Sequence, residues 1–232
     1  MRRARRTIGL MLATVLVSGL FAATATGAQA THTSTKAKLT LVHGIDGPGG
    51  FPVDISVYRL AVGSQVFQDV TYGTVAGPLE LSKGIYWVGI RPADAPRYSK
   101  PILSKWLWLG PGSNESVVAH LSASGDPMIS VYRNDVSDSG DDEARVTVRH
   151  NAAVGPVNVL ANGTKVISGL ANPNQAALDV PATTIRIKVR VVGGPVVFDA
   201  PLAFAEDTNT IVYATLDRNG AFNPLVQVLP TA

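Results

Sequence analysis

The sequence predicts an all-β protein of two tandem antiparallel β-sandwich domains behind an export signal, and three observations carry that expectation. The segment Ala37-Lys38-Leu39-Thr40-Leu41-Val42-His43 returns as Ala144-Arg145-Val146-Thr147-Val148-Arg149-His150, and each copy opens a stretch of roughly a hundred residues, a domain-sized length. Apolar and polar residues alternate with a period of two, as in Val53, Ile55 and Val57 against Asp54, Ser56 and Tyr58, which is the pattern of a half-buried strand. Outside the first 30 residues no window carries an apolar repeat at helical spacing.

Residues 1–30 have the form of a signal peptide. Arg2, Arg3, Arg5 and Arg6 supply the positive start, residues 8–23 are uncharged and apolar, and Ala28-Gln29-Ala30 fits the small-x-small cleavage rule. The apolar run is shorter than the roughly 20 residues that span a bilayer, so a cleaved leader and a mature chain with no membrane span are expected. Arg5-Arg6-Thr7-Ile8 also fits a twin-arginine signal, which leaves both export routes open.

The leader distorts the charge of the whole chain. It holds four of the 20 basic side chains and no acidic one, leaving 16 basic against 17 acidic and a formal net charge of −1. No basic stripe interleaved with aromatic residues remains to follow a phosphate backbone, so nucleic acid is not an expected partner. There is no cysteine, which excludes disulfides, thiol nucleophiles, thiolate metal sites and lipid-modified cysteine anchors. Stability must then come from burial, and 46% apolar content supplies enough for two cores.

The elements follow in order. A polar lead-in, 31–36, precedes the first domain at 37–134, with strands expected at 37–43, 53–58, 84–91, 103–109, 115–121 and 127–133. An exposed acidic linker is expected at 135–143, where polar and charged residues with one glycine leave little to bury. The second domain, 144–232, repeats the plan. Pro156-Val157-Asn158-Val159-Leu160 answers Pro52-Val53-Asp54-Ile55-Ser56 and runs into Asn162-Gly163, the pair best suited to a tight hairpin. Strands are expected at 184–192, 195–199, 210–216 and 224–229. Asn114–Leu121 matches 209–216, and Pro127-Met128-Ile129-Ser130-Val131 matches Pro224-Leu225-Val226-Gln227-Val228.

The first copy also carries Tyr72-Gly73-Thr74 and Leu81-Ser82-Lys83-Gly84-Ile85-Tyr86-Trp87-Val88. With the repeated strand and Pro-Val-Asp-Ile-Ser-Val-Tyr, these resemble the exported bacterial family that carries the domain of unknown function 4397, often in tandem. The resemblance covers most of 37–134 and, more weakly, 144–230. It implies an immunoglobulin-like sandwich outside the cytoplasm and no established activity. The second copy departs from the pattern, with Leu170-Ala171-Asn172 in place of Tyr72-Gly73-Thr74.

Few residues invite a chemical reading. His43 and His150 close the repeated strand, but no His-x-His or His-x-x-x-His spacing exists; each ring is expected to donate to a loop carbonyl. No Gly-x-Ser-x-Gly elbow is present, and no catalytic residue or enzymatic activity is expected, the alternative being a hydrolase with an unrecognised site. Asp135, Asp138, Asp141 and Asp142 are weak candidates for Ca²⁺ in the linker, although their spacing fits no EF-hand loop; no other cofactor is expected. Tyr86, Trp87, Trp106 and Trp108 form the candidate ligand-binding surface. Trp106 and Trp108 alternate with Leu107 and Leu109, so both indoles share one face of a strand. That face is either an exposed platform for a sugar, peptide or neighbouring domain, or is covered by the loop 91–100.

The sequence therefore indicates a secreted, extracytoplasmic and non-enzymatic protein of the bacterial cell envelope. It is expected to be a binding, adhesion or structural module, or a carbohydrate-binding module, with an envelope protein or polysaccharide as partner.

Overall fold

Sixteen strands and no helix make up the computed structural model, which describes residues 35–46, 51–60, 62–96 and 98–232. The expected signal peptide lies outside the described residues. The first half contains β1 (Lys36–His43), β2 (Val53–Arg59), β3 (Gly63–Val70), β4 (Val75–Ser82), β5 (Gly84–Pro92), β6 (Leu103–Leu109), β7 (Asn114–Leu121) and β8 (Pro127–Arg133). The second contains β9 (Glu143–His150), β10 (Val157–Ala161), β11 (Thr164–Leu170), β12 (Gln175–Pro181), β13 (Thr184–Val191), β14 (Val196–Ala203), β15 (Thr208–Ala214) and β16 (Leu225–Pro230).

Each half is a sandwich of two four-stranded sheets. The first pairs β4-β1-β7-β8 with β3-β2-β5-β6, and the second pairs β12-β9-β15-β16 with β11-β10-β13-β14. Adding eight to each strand number of the first half reproduces the order in the second. Every pairing is antiparallel except β1 with β7 and β9 with β15. Alternate residues of facing sheets fill each core: Leu39, Leu41, Ile55, Val88 and Leu109 in the first, Val146, Val148, Val159, Val189 and Phe204 in the second. The tight hairpin falls at Asn162-Gly163, whose φ angles of 47° and 87° are those the two-residue turn between β10 and β11 demands.

Four strands escaped the sequence reading. β3, β4, β11 and β12 are edge strands with mostly exposed or half-exposed side chains; burial imposes little alternation on the first three, whereas β12 turns Ala176, Leu178 and Val180 to the core. The match of Pro127 with Pro224 also shifts by two residues: Val117 faces Val131, whereas its counterpart Val212 faces Val226. One offset of 95 residues therefore relates β7 to β15 and β8 to β16, and the chain between these pairs is equally long in both halves, closed in the second by a Leu216–Phe222 bridge.

The two sandwiches are not beads on a flexible thread; all described residues fall within one compact unit, Thr33–Ala232. The inner sheets β4-β1-β7-β8 and β12-β9-β15-β16 bury their second faces against each other, through Val42, Val118, Tyr132, Ile211, Tyr213 and Leu229. At the centre of this interface lies Arg149, fully buried. Its guanidinium donates to Tyr213 Oη (3.0 Å), Asn134 Oδ1 (2.7 Å), the Arg133 carbonyl (3.3 Å) and Gln175 Oε1 (2.9 Å). It also lies 4.6 Å from the Tyr132 ring centroid and 5.2 Å from that of Tyr213. Gln227 Nε2 reaches Thr40 Oγ1 (2.9 Å), and Asn172 Nδ2 reaches the Leu121 carbonyl (2.9 Å). These buried donors thus find partners across the interface, which offsets the cost of burying them.

In the connection 135–142 the acidic side chains are exposed while the backbone is pinned. Arg145 grips the Ser137 and Asp138 carbonyls and pairs with Asp179 at 2.8 Å. Asn209 Nδ2 holds the Asp135 carbonyl at 2.8 Å.

Candidate functional site

Strand alternation decides what the outer sheet of the first sandwich shows to solvent. On β5 and β6, Tyr86, Val88, Ile90, Leu107 and Leu109 point inward and are buried. Trp106 and Trp108 point outward, 61% and 62% exposed, so the loop 91–100 does not cover them. Trp87 stands opposite Trp106, and Ile85 opposite Trp108. On the other side of β5, Tyr58 of β2 faces Trp87. Tyr58, Trp87 and Trp106 therefore form one row across three strands, about 10 Å long at normal strand spacing.

Trp87 is half-buried because its indole lies back along its own strand. A Cβ on Gly89 would sit 2.2 Å from Trp87 Cη2, so the glycine is what leaves room for the ring. The Arg91 guanidinium stands 5.8 Å from the Trp87 centroid, within cation–π range. Arg91 is itself held by the Ser99 carbonyl (2.6 Å) and Ser56 Oγ (3.3 Å). The face thus has one indole, Trp87, seated on backbone and two, Trp106 and Trp108, standing free.

Tyr86 belongs elsewhere. Its ring is in the core and its hydroxyl donates to the Ser82 carbonyl at 2.7 Å, tying the β4–β5 corner. The expectation that Tyr86 shares the surface with the tryptophans is corrected by the same alternation that turns Trp87 outward. Tyr58 was missed, although the inward Val53, Ile55 and Val57 signal its outward position. In the second sandwich Arg186 and Pro201 occupy the ladder positions of Trp87 and Trp106. Its outer face is charged, with Asp199 bridging Arg186 (2.7 Å) and Lys188 (3.2 Å).

The remaining candidates do not assemble. Asp135 accepts from the Ser137 amide (3.0 Å) and hydroxyl (2.7 Å), which with Arg145 holds its pKa below the usual carboxylate value. Asp138 accepts from the Gly140 amide at 2.8 Å, and the Asp142 amide donates to Glu206 at 3.0 Å. Among the described residues no three acidic or imidazole side chains form a group able to hold a metal ion, Asp141 included. His150 Nε2 lies 3.0 Å from the Gly155 carbonyl, the loop bond expected of it. The His43 ring nitrogens find no well-formed partner among the described residues.

One histidine not singled out from sequence, His120, does meet a hydroxyl. Its Nδ1 is 2.8 Å from the Leu121 carbonyl and its Nε2 2.8 Å from Ser130 Oγ. The carbonyl requires Nδ1 to carry the proton, so Nε2 accepts from the serine. Both residues are buried at the inter-sandwich interface, and a carbonyl stands where a triad has its carboxylate. Burial lowers the pKa of all three histidines.

Among the described residues no helix is long and apolar enough to cross a membrane. No curated protein matches the chain. Among solved structures, the chain is similar to a candidate cell adhesion protein from Bacteroides ovatus ATCC 8483, at 9% identity and a TM-score of 0.27, over 85% of this chain and 98% of that one. The model of the family described as domain of unknown function (DUF4397) matches residues 37–156, the whole first sandwich with β9 and the loop after it, and the chain belongs to that family.

Proposed function

We infer that this is an exported, non-enzymatic binding or adhesion module of the cell envelope, which meets its partner through the outer sheet of the first sandwich. One observation carries the reading: Trp106 and Trp108 present two indoles to solvent on one strand, and Trp106 is in register with Trp87 and Tyr58. Large rings left in water, on a sheet whose other face is fully packed, mark an interaction surface rather than a folding element. The rings are flat and uncharged, and Ser56 and Ser104 are opposite Gly89 in the adjacent row. Such a surface stacks on a sugar ring and supplies hydroxyls for its edge. Envelope polysaccharide is the preferred partner on that ground, with an envelope protein the alternative.

The test is titration of the purified chain with a panel of envelope polysaccharides and surface proteins, following tryptophan emission. A Trp106→Ala/Trp108→Ala variant is expected to lose at least tenfold in affinity with an unfolding midpoint close to that of the parent, since neither indole supports the core. Equal affinity of variant and parent for every ligand that binds would remove this face from the function.

A further inference from the structure

The second sandwich contains a cavity of about 180 Å³ between its two sheets, lined by apolar side chains alone. Interiors rarely leave voids much larger than a water molecule, so a gap of this size needs a cause. The repeat supplies one. Leu39 and Leu41 are answered by Val146 and Val148, and Ile55 and Val57 are answered by Val159 and Ala161. All four of the smaller residues line the cavity, while all four of the larger ones are packed in the first core. Phe198, standing where the first sandwich has Leu103, is larger than its counterpart, but it lies near the rim, tilted against Phe222 with ring centroids 5.5 Å apart.

The cavity opens towards β16. Val226 lines it and is 51% exposed, whereas its ladder counterpart Val131 packs against the first core. Val228, on the same face of β16, is 56% exposed. An apolar strip therefore continues from the cavity to the surface.

We propose that the second sandwich is a binding site for the end of a hydrocarbon chain, which fills this cavity and leaves over Val226 and Val228. The absence of any charged or hydrogen-bonding side chain from the lining demands an uncharged, apolar occupant. The volume exceeds that of an engineered apolar cavity of about 150 Å³ that stays dry and takes up benzene. The exposed valines extend the apolar path beyond what a single ring would use, and this selects a chain. This site is independent of the aromatic face, so either can fail alone.

The test is methyl NMR of the full chain titrated with decanol, an uncharged probe. Shifts are expected at Val146, Val148, Ala161 and Val226, with Val53 and Val57 of the first core unmoved. Refilling the cavity with the first sandwich's residues, Val146→Leu/Val148→Leu, is expected to weaken decanol binding at least tenfold and to raise the thermal midpoint. Val226→Glu, a surface change that leaves the core intact, is expected to weaken it as well. The proposal is overturned if decanol leaves the cavity methyls unmoved, if both variants bind it as the parent does, or if benzene binds and decanol does not.

Discussion

Arg149 offers the sharpest test of how the sandwiches are joined. Its charge is buried with no carboxylate at ion-pair distance among the described residues, and burial lowers its pKa. Truncation to alanine takes away the donor to the Arg133 carbonyl and one donor to Asn134 Oδ1; a buried acceptor left unmade costs about 1–3 kcal/mol. Loss of the two ring contacts costs about 1–2 kcal/mol more, and the missing stem leaves a gap. Against this, removing an ion from a dry interface recovers several kcal/mol of desolvation. The balance for Arg149→Ala is a loss of about 3 kcal/mol, and for Arg149→Met, which refills the space without a charge, about 1 kcal/mol. Urea denaturation gives both numbers, with two probes that separate the halves. The three tryptophans, Trp87, Trp106 and Trp108, all lie in the first sandwich, so their emission reports that half alone, while far-ultraviolet dichroism reports both. Coincident transitions in the parent are expected, because the inner sheets share one interface. An Arg149→Ala protein within about 1 kcal/mol of the parent, or a parent whose two probes give separate midpoints, would refute this account.

Two further outcomes follow from the same geometry. Gly89→Val places a side chain where the Trp87 ring now lies, 2.2 Å from Cη2 at its Cβ; a red-shifted emission and loss of partner binding are expected, and an unchanged spectrum would show that the ring does not depend on the glycine. Burial holds His43, His120 and His150 below the ordinary value of 6.5, so the unfolded chain takes up protons that the folded one refuses. Their contribution to stability is complete above pH 6.5 and is lost as pH falls below it. Glu115, raised by burial, opposes this. Urea midpoints that decline from pH 7 to 5, and decline less in His120→Gln, are expected; a flat profile would contradict the burial of these rings.

What the sequence made legible divides along the layers. β1, β2, β5, β7, β9 and β13 could be read because a packed core enforces their alternation, and the same rule placed Trp106 and Trp108 on one face. Some edge strands gave no such signal: in β3 the run Gly63-Ser64-Gln65 has nothing to bury. The interface between the sandwiches was missed for the opposite reason. In β1 and β9 nearly every side chain is buried, a pattern that alternation rules read as one wet face. Thr40, Val42, Thr147 and Arg149 occupy that second face, and the hint was the uncharged run Leu39-Thr40-Leu41-Val42, which suits a strand buried on both sides. The buried His120–Ser130 pair and the cavity escaped because both depend on which residues meet across the fold, not on their spacing along the chain.

The repeat is strongest where the two halves touch and weakest where they face water. β1 and β9 must satisfy two packed faces each, so few substitutions are tolerated and the likeness of 37–43 to 144–150 survives. The outer sheets answer only to their own cores on one side and are free on the other. There the first half carries tryptophans and the second a charged ladder of Arg186, Lys188 and Asp199. Core volume has diverged too, Leu39 and Leu41 against Val146 and Val148. Because the inner sheets share a buried interface, the aromatic face and the apolar cavity belong to one compact unit. Were both proposed sites occupied, a partner at the aromatic face would stand at a set distance from a ligand in the cavity, which two sandwiches on a free linker would not achieve.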